Sequence, residues 1–288
     1  MSKVAVMTDS NSGITQSQGK ELGIFVLPMP FYINGELFFE DISLNHEQFY
    51  AKLAEDAEIS TSQPAVADLM SAWDDILKDH DEIVYMPMSS GLSGSCSSAQ
   101  AMAADYDGKV QVVDNQRISV TLKQAAKDSL KMAKQGMNAL QIKERLEEDK
   151  FQSSIYIMVD TLKYLKKGGR ITPAAALFGE VLNIKPVLQI QGDKLDAFSK
   201  CRGNKQAKKV MINALQHDID TRFKDLYEAG RLRLFAVHSQ SEEEAREFAA
   251  EIADRFPKAG EVEVDALSLS VSCHIGPGSL AAACSITL

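Results

Sequence analysis

Apolar residues follow two rhythms along this chain, and the change between them predicts its architecture. Lys3–Met7 is a short apolar run closed by Thr8-Asp9-Ser10, the pattern of a buried strand. Ile24–Glu40 is rich in β-branched and aromatic residues around Asn34-Gly35, a strong short-range hairpin signal. Pro28 and Pro30 make it an edge or a protruding ribbon rather than a central strand. Val66, Leu69, Met70, Trp73, Ile76 and Leu77 recur at helical spacing. Glu82–Met88 reads as a strand, followed by a Ser/Gly loop and a small-residue helix. Val110–Val113 is a strand ending at Asp114, and helices follow over Thr121–Gln135 and Asn138–Lys150. Strands and helices alternating at this length predict a parallel sheet covered on both faces.

The second rhythm mixes hairpins with helices. Ser154–Val159 is a strand, Asp160–Lys167 a short helix stopped by Gly168-Gly169, and Thr172-Pro173 a helix start. Ile184–Ser199 reads as a hairpin about Gly192-Asp193, and one long helix is expected from about Asn204 to Ala229. Leu232–Val237 and Val262–Ser270 are strands, with Ser241 and Glu244 as a capping box between them. The expected fold is α/β with two domains. Residues 1–153 form a Rossmann-like parallel-sheet domain with a β-hairpin insertion near 24–40. Residues 154–288 form an α+β domain with a mixed or antiparallel sheet.

Composition narrows the function classes. The chain has 288 residues, 45% hydrophobic and 25% charged, ordinary for a soluble globular protein. Early charges and the lack of a run of about 18 apolar residues argue against a signal peptide or a membrane span. Four cysteines, at 96, 201, 273 and 284, form no CxxC pair, which fits a reducing cytoplasm and no zinc site. A net charge of −9 argues against nucleic acid as a partner. That charge is uneven. Thr161–Val210 holds eleven Lys and Arg against three acids, so this window is +8 and the remainder −17. It is either a docking face for an acidic partner or phosphate, or a set of solvated faces.

Candidate chemistry lies in the turns. Ser89-Ser90-Gly91-Leu92-Ser93-Gly94-Ser95 follows a strand and opens a helix. Glycines admit close approach, a helix start offers N–H donors, and Ser90, Ser93 and Ser95 add hydroxyls, so the loop suits a carboxylate or phosphate. It is no Walker loop. It is a near miss for the G-x-S-x-G nucleophile elbow, because Ser95 stands where the last glycine belongs. Thr61-Ser62-Gln63-Pro64 reads first as a helix cap, and as a ligand loop if it converges with 89–95. Asp9 reads as a turn or cap residue. His274, in His-Ile-Gly-Pro-Gly, is either a surface-turn histidine or an anion donor, or a base to Ser93. The other histidines have no metal-ligand spacing. Arg170, after Gly168-Gly169, can tie its loop to backbone carbonyls or bind an anion. Lys200, Arg202 and Lys205 cluster about Gly203.

These stretches together resemble the DegV family of bacterial fatty-acid-binding proteins over nearly the whole chain. The resemblance runs through TDS at 8–10, the PFYINGELFFED ribbon, TSQP at 61–64 and SSGLSGS at 89–95. It continues through the strand and Asp near 110–114, LKYLKKGGRI at 162–171, LNIKPVL at 182–188, KCRG at 200–203 and HIGPG at 274–278. Asn11-Ser12, and Cys273 and Ile275 on either side of His274, depart from the family pattern. The resemblance implies a two-domain carrier with a long-chain fatty acid between the domains. Thr61 and Ser93 would bind the carboxylate, with Gly94 and His274 as neighbours and Ser62, Ser95 and Arg170 as further candidates. It also implies that a separate fatty acid kinase makes acyl-phosphate from the presented acid, with an acyltransferase as a further partner in phospholipid metabolism. Membrane contact would then be only transient. On that reading the chain has no catalytic residue, metal or cofactor of its own, and Arg202, Lys200 and Lys205 face the kinase. Leu177, Phe178, Val181 and Leu182 are candidate tunnel walls. The alternative is a serine hydrolase of acyl esters with Ser93 as nucleophile and His274 as base.

Overall fold

The computed structural model describes residues 2–55, 57–176, 184–192 and 194–288. Its contacts divide the chain into two compact units. The first comprises Met1–Lys150 and Ser268–Ser270, the second Phe151–Leu267 and Val271–Leu288.

In the first unit, β1 (Val4–Asp9), α1 (Gln16–Leu22) and β2 (Ile24–Leu27) lead into a ribbon of β3 (Pro30–Ile33) and β4 (Glu36–Phe39). Then come α2 (His46–Ala54), β5 (Ile59–Thr61), α3 (Val66–Ile76), β6 (Glu82–Met86), α4 (Ser95–Ala103), β7 (Val110–Val112), α5 (Ser119–Lys134) and α6 (Ala139–Glu148). Four strands form a parallel sheet in the order β2-β1-β6-β7. The ribbon turns at Asn34-Gly35, as its sequence predicts, and pairs with β5 in a separate three-stranded sheet. Residues 24–27 do not belong to the ribbon. They pair with β1, because Ile24 and Leu27 find burial there while the prolines at 28 and 30 end the ladder. α3 and α4 cover one face of the parallel sheet through Leu69, Trp73, Ile76, Cys96 and Ala99. Trp73 is fully buried, edge-on to Tyr85 and Tyr106 at ring separations of 5.9 and 5.3 Å.

This strand order has a consequence for ligands. The chain leaves β1 toward β2 on one side and later places β6 on the other. The crevice outside the carboxyl ends of β1 and β6 is therefore a topological switch point, where open α/β sheets bind ligands. Thr8-Asp9-Ser10 and the Ser/Gly loop end these two strands.

The second unit holds β8 (Ser153–Met158), α7 (Lys163–Gly168), α8 (Pro173–Ala176), β9 (Ile184–Ile190), β10 (Asp196–Arg202), α9 (Asn204–Thr221) and α10 (Lys224–Glu228). β11 (Leu232–Ser239), α11 (Glu242–Arg255), β12 (Glu263–Ala266), α12 (Leu269–Ile275) and β13 (Ser279–Ile286) complete the chain. Its sheet is mixed, in the order β10-β9-β8-β13-β11-β12, antiparallel except between β11 and β12. α9 and α11 bury Met211, Leu215, Phe248 and Ile252 against one face. The registers put Ile155, Ile157, Leu188, Phe235, Val237, Ala281 and Ala283 together on the opposite face, all apolar and buried.

Three local expectations fail here. The strand expected over Val262–Ser270 ends at Ala266, and Leu269 and Ser270 open α12 instead. The single helix from Asn204 to Ala229 is broken, because Arg222 turns back to bond Asp218, Ser154 and the Phe151 carbonyl. The Ser241 side chain caps nothing. Glu244 instead accepts from Asn204 Nδ2 at 3.1 Å and lies 3.3 Å from Lys208, tying α11 to α9. Leu177, Phe178, Val181 and Leu182 lie outside the described residues, as does Asp193.

Candidate functional site

β1 ends in a buried carboxylate. Asp9 Oδ1 accepts from Asn11 N–H at 2.9 Å and Oδ2 from Met88 N–H at 2.9 Å. It is thus the turn residue its sequence position suggests, and it also welds the exit of β1 to the exit of β6. Burial pushes its pKa up to about 6, although both N–H donors pull it down.

The Ser/Gly loop starts from that weld. Leu92 and Ser93 N–H both donate to the Ser89 carbonyl, and Ser93 Oγ accepts from Ser95 N–H at 3.2 Å. Gly94 occupies the N-cap position of α4. Three serines were candidates for hydroxyl donation, and their positions differ. Ser90 commits its hydroxyl to Asp114 Oδ2 at 2.5 Å. Ser93 is half-buried, and its hydroxyl donates to no side chain or carbonyl among the described residues. Ser95 Oγ is buried and has no partner among the described residues. Ser93 is also not among the residues with positive φ, so it lacks the strained turn of a nucleophile elbow.

Thr61 is not the cap of α3. It is the last residue of β5, paired with Phe31, and α3 begins at Val66 with no side-chain cap. Ser62 is exposed. The 61–64 turn and the Ser/Gly loop do converge, and the agent is Gln63. Its Oε1 accepts from Ser98 Oγ at 2.9 Å, and a Cβ on Gly94 would lie only 2.6 Å from its Nε2. The absent side chain at Gly94 leaves room for the Gln63 amide in the position it takes here. Neither Gln63 nor Asp114 stands out as a site residue in the sequence. The signal for Asp114 was there: an Asp at the exit of a strand, as at Asp9.

The second unit brings together another set. His274 occupies the last turn of α12 rather than a surface turn. Its ring lies against Gly168, where any Cβ would collide with it. Arg170 Nη1 donates to the Gly168 carbonyl, which makes it the loop tie that was one of its two readings. Burial, reinforced by the Arg170 charge, lowers the His274 pKa to about 4, so the imidazole is neutral at pH 7. Arg202 ends the sheet-edge strand β10, and Lys200, Arg202 and Lys205 are all exposed. Among the described residues no group of His, Cys, Asp and Glu could hold a metal, and no helix is long and apolar enough to cross a membrane.

The comparisons agree with the motifs. A family profile described as "Uncharacterised protein, DegV family" matches residues 3–286. A DegV domain-containing protein of Streptococcus pneumoniae is 32% identical over 287 residues, covering 97% of each chain. The fold is similar to that of DegV from Bacillus subtilis, a fatty acid binding protein, with a TM-score of 0.87 and 26% identity over 100% of both chains. It is also similar to a DegV family protein from Thermus thermophilus described for its fatty acid binding, with a TM-score of 0.86 and 26% identity over 99% of each. With the match running from the third residue to the third from last, the chain belongs to the DegV family.

Proposed function

We propose that this protein binds a long-chain fatty acid and presents its carboxylate to a separate kinase for acyl-phosphate formation. The observation that carries the reading is the full-length likeness to the fatty acid binding DegV of Bacillus subtilis. The site chemistry supports it. Thr61, at the end of β5, and Ser93 lie in the two segments that the Gln63–Ser98 bond joins, both carry hydroxyls of the type a carboxylate accepts from, and Gly94 stands at a helix start. The family resemblance makes His274, neutral at pH 7, a further head-group candidate.

Affinity then comes from the tail. Burying about 14 methylenes contributes on the order of 11 kcal/mol gross. Lost translational and rotational freedom offsets roughly 4 kcal/mol or more. The head-group site need only keep the carboxylate from being buried unpaired. Hydroxyls and a helix start do that and leave the carboxylate oxygens chemically available.

On this reading the chain is a cytoplasmic carrier in phospholipid metabolism rather than a catalyst. The kinase supplies nucleotide and metal, an acyltransferase consumes the product, and Arg202, Lys200 and Lys205 meet the kinase. The hydrolase reading is not favoured, since Ser93 lacks the elbow geometry and Ser95 replaces its final glycine. The test is acid-loaded protein with ATP and a fatty acid kinase, trapping acyl-phosphate with hydroxylamine. Hydroxamate should form only with both proteins present. Its absence in the complete mixture, or ester hydrolysis by this chain alone, would overturn the reading.

A further inference from the structure

The Ser/Gly loop is braced by the loop that follows β7. Asp114 takes two bonds from one residue. Ser90 Oγ donates to its Oδ2 at 2.5 Å and Ser90 N–H to its Oδ1 at 3.3 Å. One residue earlier, Ser89 N–H donates to the Arg117 carbonyl at 3.0 Å. Arg117 is itself buried and anchored, its Nη2 donating to the Asp149 carbonyl at 2.9 Å. On either side of it, Gln116 and Ser119 hold φ of 55° and 54°, a left-handed backbone that side chains disfavour. Such conformations persist where the surroundings over-determine them, and they concentrate at functional sites. Asp114 N–H in turn donates to Glu147 Oε1 at 3.2 Å, so the brace reaches α6.

A carboxylate beside a loop that receives an anion works against the ligand electrostatically. Its presence calls for a gain elsewhere, and the geometry points to that gain. We propose that Asp114 is a positioning residue for the head-group loop. By holding both the hydroxyl and the N–H of Ser90, it fixes the orientation of the turn that carries Ser93 and Gly94. The path is short, because Leu92 and Ser93 N–H both bond the Ser89 carbonyl next to the residue Asp114 grips. The proposal rests on the fatty-acid-carrier reading and adds a determinant of its preference for a carboxylate.

The test compares palmitate with hexadecanol, which has the same tail and no carboxylate, on wild type, Asp114→Ala, Asp114→Asn and Ser90→Ala. Asp114→Ala should cut the preference for palmitate about tenfold, as loss of an oriented bond to a charged group does, and leave hexadecanol affinity unchanged. Asp114→Asn keeps an acceptor for the Ser90 hydroxyl and should restore part of the preference. Amide exchange at residues 90–95 should quicken in Asp114→Ala. Should that variant not fold, Ser90→Ala is expected to lower the preference and quicken exchange in its place. Equal loss for both ligands, or an unchanged ratio with unchanged exchange, would overturn the proposal. If wild type takes up neither ligand, the carrier reading fails instead, and exchange at 90–95 alone decides the role of Asp114.

Discussion

Gln63 Oε1 accepts a 2.9 Å hydrogen bond from Ser98 Oγ across 35 residues of sequence. This bond couples the turn after Thr61 to the first turn of the helix that follows Ser93. Both residues are near the surface, so water replaces the lost partner in Gln63→Ala. The stability cost should be at the low end for a hydrogen bond, about 0.5 kcal/mol. Fatty acid affinity should fall further than stability does. Gln63→Glu should weaken acid binding more than Gln63→Ala, because it aims a negative charge at Gly94 and the ligand carboxylate. Thermal melts beside titration calorimetry read both quantities. Equal affinity in all three proteins would remove Gln63 from the site.

On the proposed assignment, Thr61→Ala and Ser93→Ala each take away one hydroxyl partner of a charged group, a loss of roughly 1.5–3 kcal/mol if the bond is fully formed. The tail carries most of the affinity, so each single variant should still bind acid. The double variant should bind it with a misplaced carboxylate, and acyl-phosphate formation should fall much further than affinity. Phosphorylation of the double variant at the wild-type rate would refute the assignment.

Much of this architecture is legible in the sequence, and the failures share a cause. The parallel β-strand and helix alternation and the Asn34-Gly35 ribbon follow from local pattern and turn chemistry, and both occur. The break in the 204–229 helix does not. It depends on Arg222 reaching Ser154, 68 residues away, a contact that helical propensity cannot report. The Ser241 cap fails for a similar reason, since Glu244 is drawn to Asn204 and Lys208 on another helix. At the site, type and spacing pick out the 61–64 turn and the serines of the 89–95 loop together, and only the family resemblance singles out Thr61 and Ser93. Ser90 could not be separated from Ser93, because only the fold reveals that Asp114 occupies its hydroxyl.

Buried Asp9 and half-buried His274 predict opposing pH dependences. His274 has its pKa lowered from 6.5 to about 4, so the folded protein binds fewer protons than the unfolded chain between those values. Its contribution is present above pH 6.5 and lost as pH falls toward 4. Asp9 is raised from 3.8 to about 6, so its contribution is present below pH 3.8 and lost as pH rises through 6. Asp9→Asn should therefore make stability climb more steeply with pH between 4 and 6, and His274→Gln should make it climb less or decline. Urea titrations across this range measure the slopes. If neither substitution alters them, the two assignments are wrong.

The basic edge gives an ionic-strength signature. Arg202 and Lys200 lie two residues apart on β10, and Lys205 follows in the first turn of α9. Interface charges act mainly on encounter and are screened within about 8 Å at physiological salt. Arg202→Glu should raise the apparent KM of the kinase for this carrier and leave fatty acid affinity unchanged. Wild-type turnover should fall as salt rises. A variant as good a substrate as wild type at low salt would show the basic window to be merely solvated.

The central claim is that the protein holds a fatty acid, and native mass spectrometry of protein purified from its host tests it most directly. The expected spectrum has one acid per chain, which solvent extraction identifies as a C14–C18 species. Empty protein that takes up no C14–C18 acid on titration would contradict the account.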